Sequence, residues 1–218
     1  MIKKLSLLFI LIGIAVFLLS CNANTMKMLE NSISYLEKHK LYGETEDFRI
    51  VVTVGIMEDV PIIDGKKGET SDFVKITLIP LKLGGIEKNY SFKYGDFSDK
   101  FTTDMIKYQL GATLNYDKAL DYIEITENNE TQKIPLININ DTEVDYLEAL
   151  RISADALKQM INANTDKGQI NREIYITIIE DTMSTNNFYY YVGYLGSNSL
   201  YSATLIDPYT RKAIAVRP

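Results

Sequence analysis

The sequence predicts an α+β protein in which two units, each a helix packed on an antiparallel sheet, follow one another after a cleaved signal peptide. Three observations support this prediction: an apolar N-terminal run, a helix-then-strands pattern that begins near residue 25, and the same pattern again from residue 143. Apolar residues make up 46% of the chain and charged residues 24%, which is typical of a protein with a folded core. The predicted parts are a signal peptide, a lipidated tether, a first unit with an added helix and strand, and a second unit, at 1–20, 21–25, 26–126 and 140–218.

The first twenty residues have the composition of a signal peptide. Lys3 and Lys4 provide a basic start, and the run from Leu5 to Leu19 carries no charge. This run of about 15 residues is shorter than the roughly 20 that a helix needs to span a bilayer. The alternative interpretation is an uncleaved membrane helix.

The run ends in Leu18-Leu19-Ser20-Cys21, which resembles the lipobox of bacterial lipoproteins. The resemblance implies that Cys21 becomes the first mature residue and carries a diacylglycerol on its sulfur and an acyl chain, such as palmitate, on its amine. Several acyl chains are enough for stable anchoring. We therefore expect a lipid-anchored protein of the cell envelope, in the outer membrane or on the outer face of the cytoplasmic membrane. The tether from Cys21 to a predicted helix N-cap at Thr25 spans on the order of 14 Å, which keeps the folded part close to its membrane.

Apolar spacing predicts the elements of the first unit. A helix is expected over 25–41, because its apolar residues recur at helical intervals, at Leu29, Ile33, Leu36 and Leu41. Alternating apolar residues then predict three strands, at 48–57, 74–78 and 90–94. The added elements are a helix from Ser98 to about Leu110 and a strand around Leu120 to Thr126.

The second unit repeats the order of helix and strands. Asn140 and Glu143 form a plausible capping pair for a helix that continues to Ile161. Alternation predicts the strands that follow, at 174–178, 188–195, 200–206 and 213–216. Two local similarities suggest an internal repeat: 50–59 aligns with 172–181, and Tyr90-Ser91 and Asp96 align with Tyr201-Ser202 and Asp207.

The C-terminal 75 or so residues resemble a PepSY-type module. The resemblance lies in a helix followed by a meander whose last turn reads Asp207-Pro208-Tyr209-Thr210-Arg211 before an apolar strand, with Arg211 where the family usually has glycine. Two such units in tandem also resemble beta-lactamase-inhibitor proteins, in which helix-plus-sheet units form a concave binding face. Both resemblances imply a binding or inhibitory role without catalysis.

Tyrosine is the residue type that points to a binding surface. It occurs 15 times, whereas tryptophan is absent. Period-2 geometry places Tyr189 and Tyr191 on one face of a strand, opposite Phe188 and Tyr190, and Tyr201 lies on the next strand. We take Tyr189, Tyr191 and Tyr201 as candidate residues for binding another envelope protein, a peptide or a glycan. The alternative is that these rings only cover the sheet against the other unit.

Charge and composition exclude several classes of function. Without residues 1–20 the chain has 21 basic and 29 acidic residues, a net charge of −8, which argues against a nucleic-acid partner. One cysteine and one histidine exclude an internal disulfide framework and a zinc site, so we predict no metal and no other cofactor. His39, between Lys38 and Lys40 in the last turn of the first predicted helix, is interpreted as a capping charge.

Carboxylates leave an enzymatic alternative open. Glu58, Asp59 and Asp64 follow one predicted strand, and Glu180 and Asp181 end its counterpart in the second unit. Two such groups at one rim of a sheet provide oxygen ligands for a divalent cation, although solvated strand ends explain them without a ligand. We predict no catalytic residues and a non-catalytic, membrane-anchored binding or inhibitory module. The alternatives are a carboxylate-dependent hydrolase of the envelope and a structural subunit of an envelope assembly.

Overall fold

A computed structural model describes residues 24–181, 187–197 and 200–218. Strands make up 53% of these residues and helices 15%. The predicted α+β class with helix-on-sheet units in tandem is therefore wrong. The described chain is predominantly β, and one large mixed sheet runs through both of the predicted units.

The elements follow one another from residue 24 to the C-terminus. The described helices are α1 (24–30), α2 (Tyr146–Ala156) and α3 (Lys158–Ala163), with one 3-10 turn at Gly85–Glu87. The strands of the first part are β1 (Ile33–Glu44), β2 (Phe48–Glu58), β3 (Thr70–Pro80), β4 (Tyr90–Tyr94), β5 (Phe97–Lys100), β6 (Thr102–Asp104), β7 (Gln109–Leu114), β8 (Tyr122–Glu127), β9 (Glu130–Pro135) and β10 (Ile137–Asn138). Those of the second part are β11 (Thr165–Asp166), β12 (Gln169–Ile170), β13 (Glu173–Glu180), β14 (Phe188–Leu195), β15 (Tyr201–Asp207) and β16 (Lys212–Arg217).

β1 is the strand that joins the two parts of the chain into one sheet. The order of the large sheet is β16-β15-β14-β13-β1-β2-β3-β7-β6, and β10 pairs with the second half of β1. β1 and β13 run parallel, whereas β1 and β2 run antiparallel. A second sheet has the order β5-β4-β8-β9, and β11 and β12 form a small hairpin.

Two apolar clusters pack on the same face of the large sheet. The first lies between the three helices and β13–β15, and the second lies between β2, β3 and β7 and the four-stranded sheet. Alternate residues of β2 show that the face is shared, because Val54 belongs to the second cluster and Ile56, two residues on, packs against the first. The helices and the second sheet thus lie side by side on one face.

The predicted helix over 25–41 is wrong beyond residue 30, because β1 contains two irregularities that imitate helical spacing. The pairing of β1 shifts register between Ile33 and Tyr35 and again between Glu37 and His39. Each shift adds a residue to the strand, so Ile33, Leu36 and Leu41 point to the core at intervals of three and five instead of two. His39 consequently lies in a strand, where Asn138 contacts its Nδ1 at 3.4 Å, and does not cap a helix.

The predicted helix from Ser98 to Leu110 is also wrong. This stretch forms β5, β6 and the start of β7, with a turn between the last two. The Asp104 carboxylate accepts hydrogen bonds from the backbone N–H groups of Ile106 and Lys107, which closes the turn locally.

The elements predicted for the second part are closer to the structure. The four predicted strands are confirmed as β13 to β16. The helix begins later than predicted, at Tyr146, with the Asp145 carboxylate capping the N–H of Glu148, and it divides at Leu157 into α2 and α3. Tyr90 and Tyr201, which the proposed repeat aligns, lie in different sheets, in β4 and β15. This second local similarity therefore does not correspond to equivalent places in the fold.

Candidate functional site

The face of the large sheet opposite the two apolar clusters is the candidate functional site, and we call it the open face. In the part of the chain that the structure describes, neither a helix nor a second sheet packs on it. The open face carries Tyr175 and Thr177 of β13 and the side chains that pair beside them on β14 and β15. A strand covered on one side only leaves its other residues for contact with solvent or a partner.

The three tyrosines predicted from the sequence all lie on the open face. Tyr191 pairs with Leu205, and Tyr201 pairs with Leu195 across the same two strands. Their rings stack with centroids 6.5 Å apart, and the guanidinium of Arg217 lies 4.8 Å from the centroid of Tyr201. Each of these tyrosines is half-buried. The arrangement is a pair of near-parallel aromatic rings with a cation over one of them.

Tyr189 lies apart from this pair. Its hydroxyl donates a hydrogen bond to Oδ2 of Asp181 at 3.4 Å, and the charge of that carboxylate raises the pKa of the phenol. Phe188 and Tyr190, on the opposite face of the same strand, are buried in the core, at 0% and 1% exposure. β14 therefore carries buried aromatic residues on its core face and half-buried tyrosines on the open face.

A second aromatic group on the open face was not predicted. Tyr35 of β1 stacks on Phe73 of β3 at 5.5 Å between centroids and on Tyr175 of β13 at 6.2 Å. Phe73 rests over Gly55, where a Cβ would lie 3.1 Å from its ring. Tyr35 was missed because it falls in a predicted helix, and Tyr175 because only the parallel pairing of β1 with β13 brings it beside Tyr35.

Two carboxylates fix the hydroxyls of this second group. Tyr35 donates to Oε1 of Glu37 at 3.2 Å, and Tyr175 donates to Oε2 of Glu173 at 3.0 Å. Burial and the adjacent carboxylate raise the pKa of both phenols, so the hydroxyls stay protonated as donors. Their polar ends are thus used within the protein.

The carboxylates that the sequence suggested for one rim do not meet. β2 runs antiparallel to β1 and β13 runs parallel to it, so Glu58 and Glu180 lie at opposite ends of the sheet. Glu58 is not a solvated strand end either, because it is buried and its Oε1 accepts a hydrogen bond from the N–H of Gly68 at 2.6 Å. Within the described residues, no group of three or more His, Cys, Asp or Glu side chains is arranged to hold a metal ion.

A polar cleft of about 310 Å³ lies between the start of β2 and the β8–β9 hairpin. Asp47, Lys88, Glu127 and Glu130 are among the residues that line it. The Asp47 carboxylate lies 2.6 Å from Lys82, whose hydrogen bond lowers the pKa of that carboxyl, and Glu127 lies 2.8 Å from Lys88. A hydrolase that uses two carboxylates needs one whose pKa is raised so that it can donate a proton. The hydrogen bond from Lys82 stabilises the ionised form of Asp47 instead.

Comparisons with known proteins identify no relative: no family model, no curated protein and no solved structure matches the chain. No helix in the described ranges is long and apolar enough to cross a membrane. Cys21, the predicted lipidation residue, lies outside the described residues.

Proposed function

We propose that this chain is a membrane-anchored bacterial envelope lipoprotein whose open face binds a partner without catalysing a reaction. The observation that carries the proposal is the stacked pair of Tyr191 and Tyr201, with Arg217 beside it, on the face of the large sheet opposite the two apolar clusters. Tyrosine and arginine are enriched at the centres of protein interfaces, because each combines a large contact area with a polar end.

The geometry around Gly193 supports a preformed surface. A Cβ at this position would lie 3.3 Å from Cε1 of Tyr191 and 3.6 Å from Cε2 of Tyr201, so both rings lean over the glycine. Rings held in place before binding lose less conformational entropy when a partner arrives. The pair suits partners that contact aromatic rings, which are another envelope protein, a peptide or a glycan.

The anchor rests on the lipobox-like sequence that ends in Cys21 and on the short stretch that separates it from α1. A chain tethered so closely meets partners that lie in, or at the surface of, the same envelope. The Cys21→Ser variant tests this step, because we expect it to lose labelling by fatty acid and to remain unprocessed. Labelling of the variant would contradict the anchor.

Cross-linked capture of partners from the native envelope tests the open face. We expect the Tyr191→Ser/Tyr201→Ser double variant of the acylated chain to lose a captured partner that the unchanged chain retains. Tyr122→Ser is the matched control, because Tyr122 is 40% exposed on the four-stranded sheet and has the Lys133 ammonium 3.6 Å from its ring centroid. Capture that survives the double variant, or that the control abolishes equally, would contradict the proposal.

Thermal melting of the same variants separates binding from folding. Substituting the buried Tyr190 by alanine is expected to lower the free energy of unfolding by about 3 kcal/mol, as in other large-to-small core changes. The double variant on the open face is expected to lower it by less than half of that value. If the two variants melt alike, the open face is a covered face and the binding proposal loses its support.

A further inference from the structure

The loop that joins β2 to β3, residues 59–69, exposes an apolar tip. Val60, Ile62 and Ile63 are 66%, 60% and 56% exposed, and Pro61 lies between them. Three large, exposed aliphatic side chains within four residues of a loop are unusual for a surface that meets only water, and such patches mark sites of contact with proteins or membranes.

Two buried carboxylates hold this loop in place. Oε1 of Glu173, which is 0% exposed, accepts hydrogen bonds from the N–H groups of Asp64 at 2.8 Å and Gly65 at 2.9 Å. Glu58 accepts from Gly68 on the returning side of the loop. Gly65 has a φ of +85° and approaches the backbone of Asn171 so closely that a Cβ there would lie 3.2 Å from its carbonyl oxygen. The apolar tip is thus presented by a fixed backbone.

The apolar tip lies at the end of the sheet where the chain enters it. The loop follows Glu58, which pairs with Thr70, and Met57 pairs with Tyr35 near the start of β1. β1 itself begins at Ile33, directly after α1. Only Asn22 and Ala23 separate Cys21 from residue 24, a span of at most about 10 Å.

We infer that Val60, Ile62 and Ile63 insert into the surface of the bilayer that holds the lipid on Cys21. This inference rests on the proposed lipid anchor and adds a second point of attachment, which fixes the orientation of the sheet. A second apolar tip, at Leu83 and Ile106, lies beyond the other end of β3, roughly 35 Å away along the strand. The chain that follows Cys21 enters the sheet at the end that carries the loop, and not at the end that carries the second tip, so we assign the loop to the bilayer.

The charges of the loop determine the kind of lipid surface it meets. Lys66 and Lys67 are outnumbered by Asp59, Asp64 and Glu69, so the loop gains nothing from anionic headgroups. The insertion is apolar, and it occurs equally in zwitterionic vesicles and at high salt.

Tryptophan fluorescence tests the insertion, because the chain has no tryptophan of its own. The acylated full chain with Ile62→Trp is reconstituted into phosphatidylcholine vesicles, with Leu83→Trp as the matched control at the far end of the sheet. We expect emission from the first variant to shift to shorter wavelength and to be quenched by brominated acyl chains but not by aqueous iodide. The control is expected to show the opposite quenching.

The outcomes separate this inference from the anchor. Iodide quenching of Ile62→Trp in a chain that floats with the vesicles overturns the insertion and leaves the anchor standing. A chain that does not float overturns the anchor and, with it, the insertion. Ile63→Trp provides a second reporter in case Ile62→Trp alone disturbs the loop. If brominated lipids quench Leu83→Trp and do not quench the two loop variants, the assignment of the loop to the bilayer is likewise overturned.

Discussion

Glu173 is the residue on which the loop and the open face both depend. Its side chain is fully buried and accepts hydrogen bonds from two backbone N–H groups of the loop and from the hydroxyl of Tyr175. A buried carboxylate is stable only when its oxygens are paired in this way. One side chain therefore connects a hairpin loop to a strand more than a hundred residues later in the chain.

The Glu173→Ala variant is expected to lower the free energy of unfolding by about 3 kcal/mol, because it leaves the buried N–H of Gly65 and the part-buried N–H of Asp64 without an acceptor. Glu173→Gln keeps one oxygen for those donors and is expected to cost about 1 kcal/mol. Urea unfolding measures both. Glu69→Ala, on the exposed part of the same loop, is the control and should stay within about 0.5 kcal/mol of the unchanged protein. Equal effects of Glu173→Ala and Glu69→Ala would contradict this role.

Glu148 makes the free energy of unfolding depend on pH in the acidic range. Hydrogen bonds from Arg151 and then from Arg211 hold its pKa at about 2, below the value of about 4.3 expected in the unfolded chain. Because the pKa of Glu148 is lower in the folded state, its ion pairs contribute fully to the free energy of unfolding above about pH 4.3, and this contribution disappears as the pH falls towards 2. The difference in unfolding free energy between the unchanged protein and Glu148→Gln should shrink over that range. Glu143→Gln, whose side chain is 91% exposed, is the control for the loss of one negative charge.

At the scale of elements, regular alternation is what made strands predictable. β2, β3, β8 and β13 to β16 have apolar residues at every second position over most of their length, and the sequence located each of them. Tyr189 and Tyr191 of β14 were placed on one face by the same rule, whereas the pairing of β14 with β15 that puts Tyr201 on that face came from the structure. β1 was lost because its register shifts give intervals that a helix also has.

Pairing between distant strands could not be predicted, because it depends on topology. The parallel contact of β1 with β13 places Tyr35 against Tyr175, and the antiparallel order of β1, β2 and β3 places Phe73 against Tyr35. No local pattern in the sequence encodes these neighbours, so the grouping of Tyr35, Phe73 and Tyr175 appeared only in the structure.

At the point where β1 separates from β13, the side chain of Asn140 makes the hydrogen bonds to β1 that a residue of a neighbouring strand would make. Its Oδ1 accepts from the N–H of Lys40, and its Nδ2 donates to the carbonyl of Lys38 and to the hydroxyl of Tyr190. The Asn140→Ala variant should lower the free energy of unfolding by about 2 kcal/mol, because it leaves backbone groups of β1 unpaired. Asn138→Ala is the control, since its side-chain contacts are near 3.4 Å, and should cost less than half as much in chemical denaturation. Equal losses of unfolding free energy in the two variants would show that Asn140 does not provide the hydrogen bonds of a neighbouring strand.

At the scale of the whole molecule, both apolar clusters lie on one face, and on the opposite face the loop of residues 59–69 covers the end at Glu173 and leaves the tyrosines of β14 and β15 half-buried. If the loop of residues 59–69 rests on the bilayer, the strands point away from the membrane and the open face stands beside it, accessible from the aqueous side. Anchor, loop and aromatic face then act together: the first two set position and orientation, and the third meets the partner.

The central position of β1 predicts that the C-terminal part cannot fold alone. In the cluster beneath the helices, Leu29, Ile33 and Leu36 come from α1 and β1, and β13 has its parallel partner only in β1. A fragment of residues 140–218 would expose one edge of β13 and lose these buried side chains, so we expect it to lack a cooperative unfolding transition in circular dichroism. Adding a peptide of residues 24–44 should restore the transition in proportion to its concentration, whereas the same peptide with Leu36→Asp should not. A cooperative transition of the fragment by itself would show that it is an independent domain and that β1 merely extends its sheet.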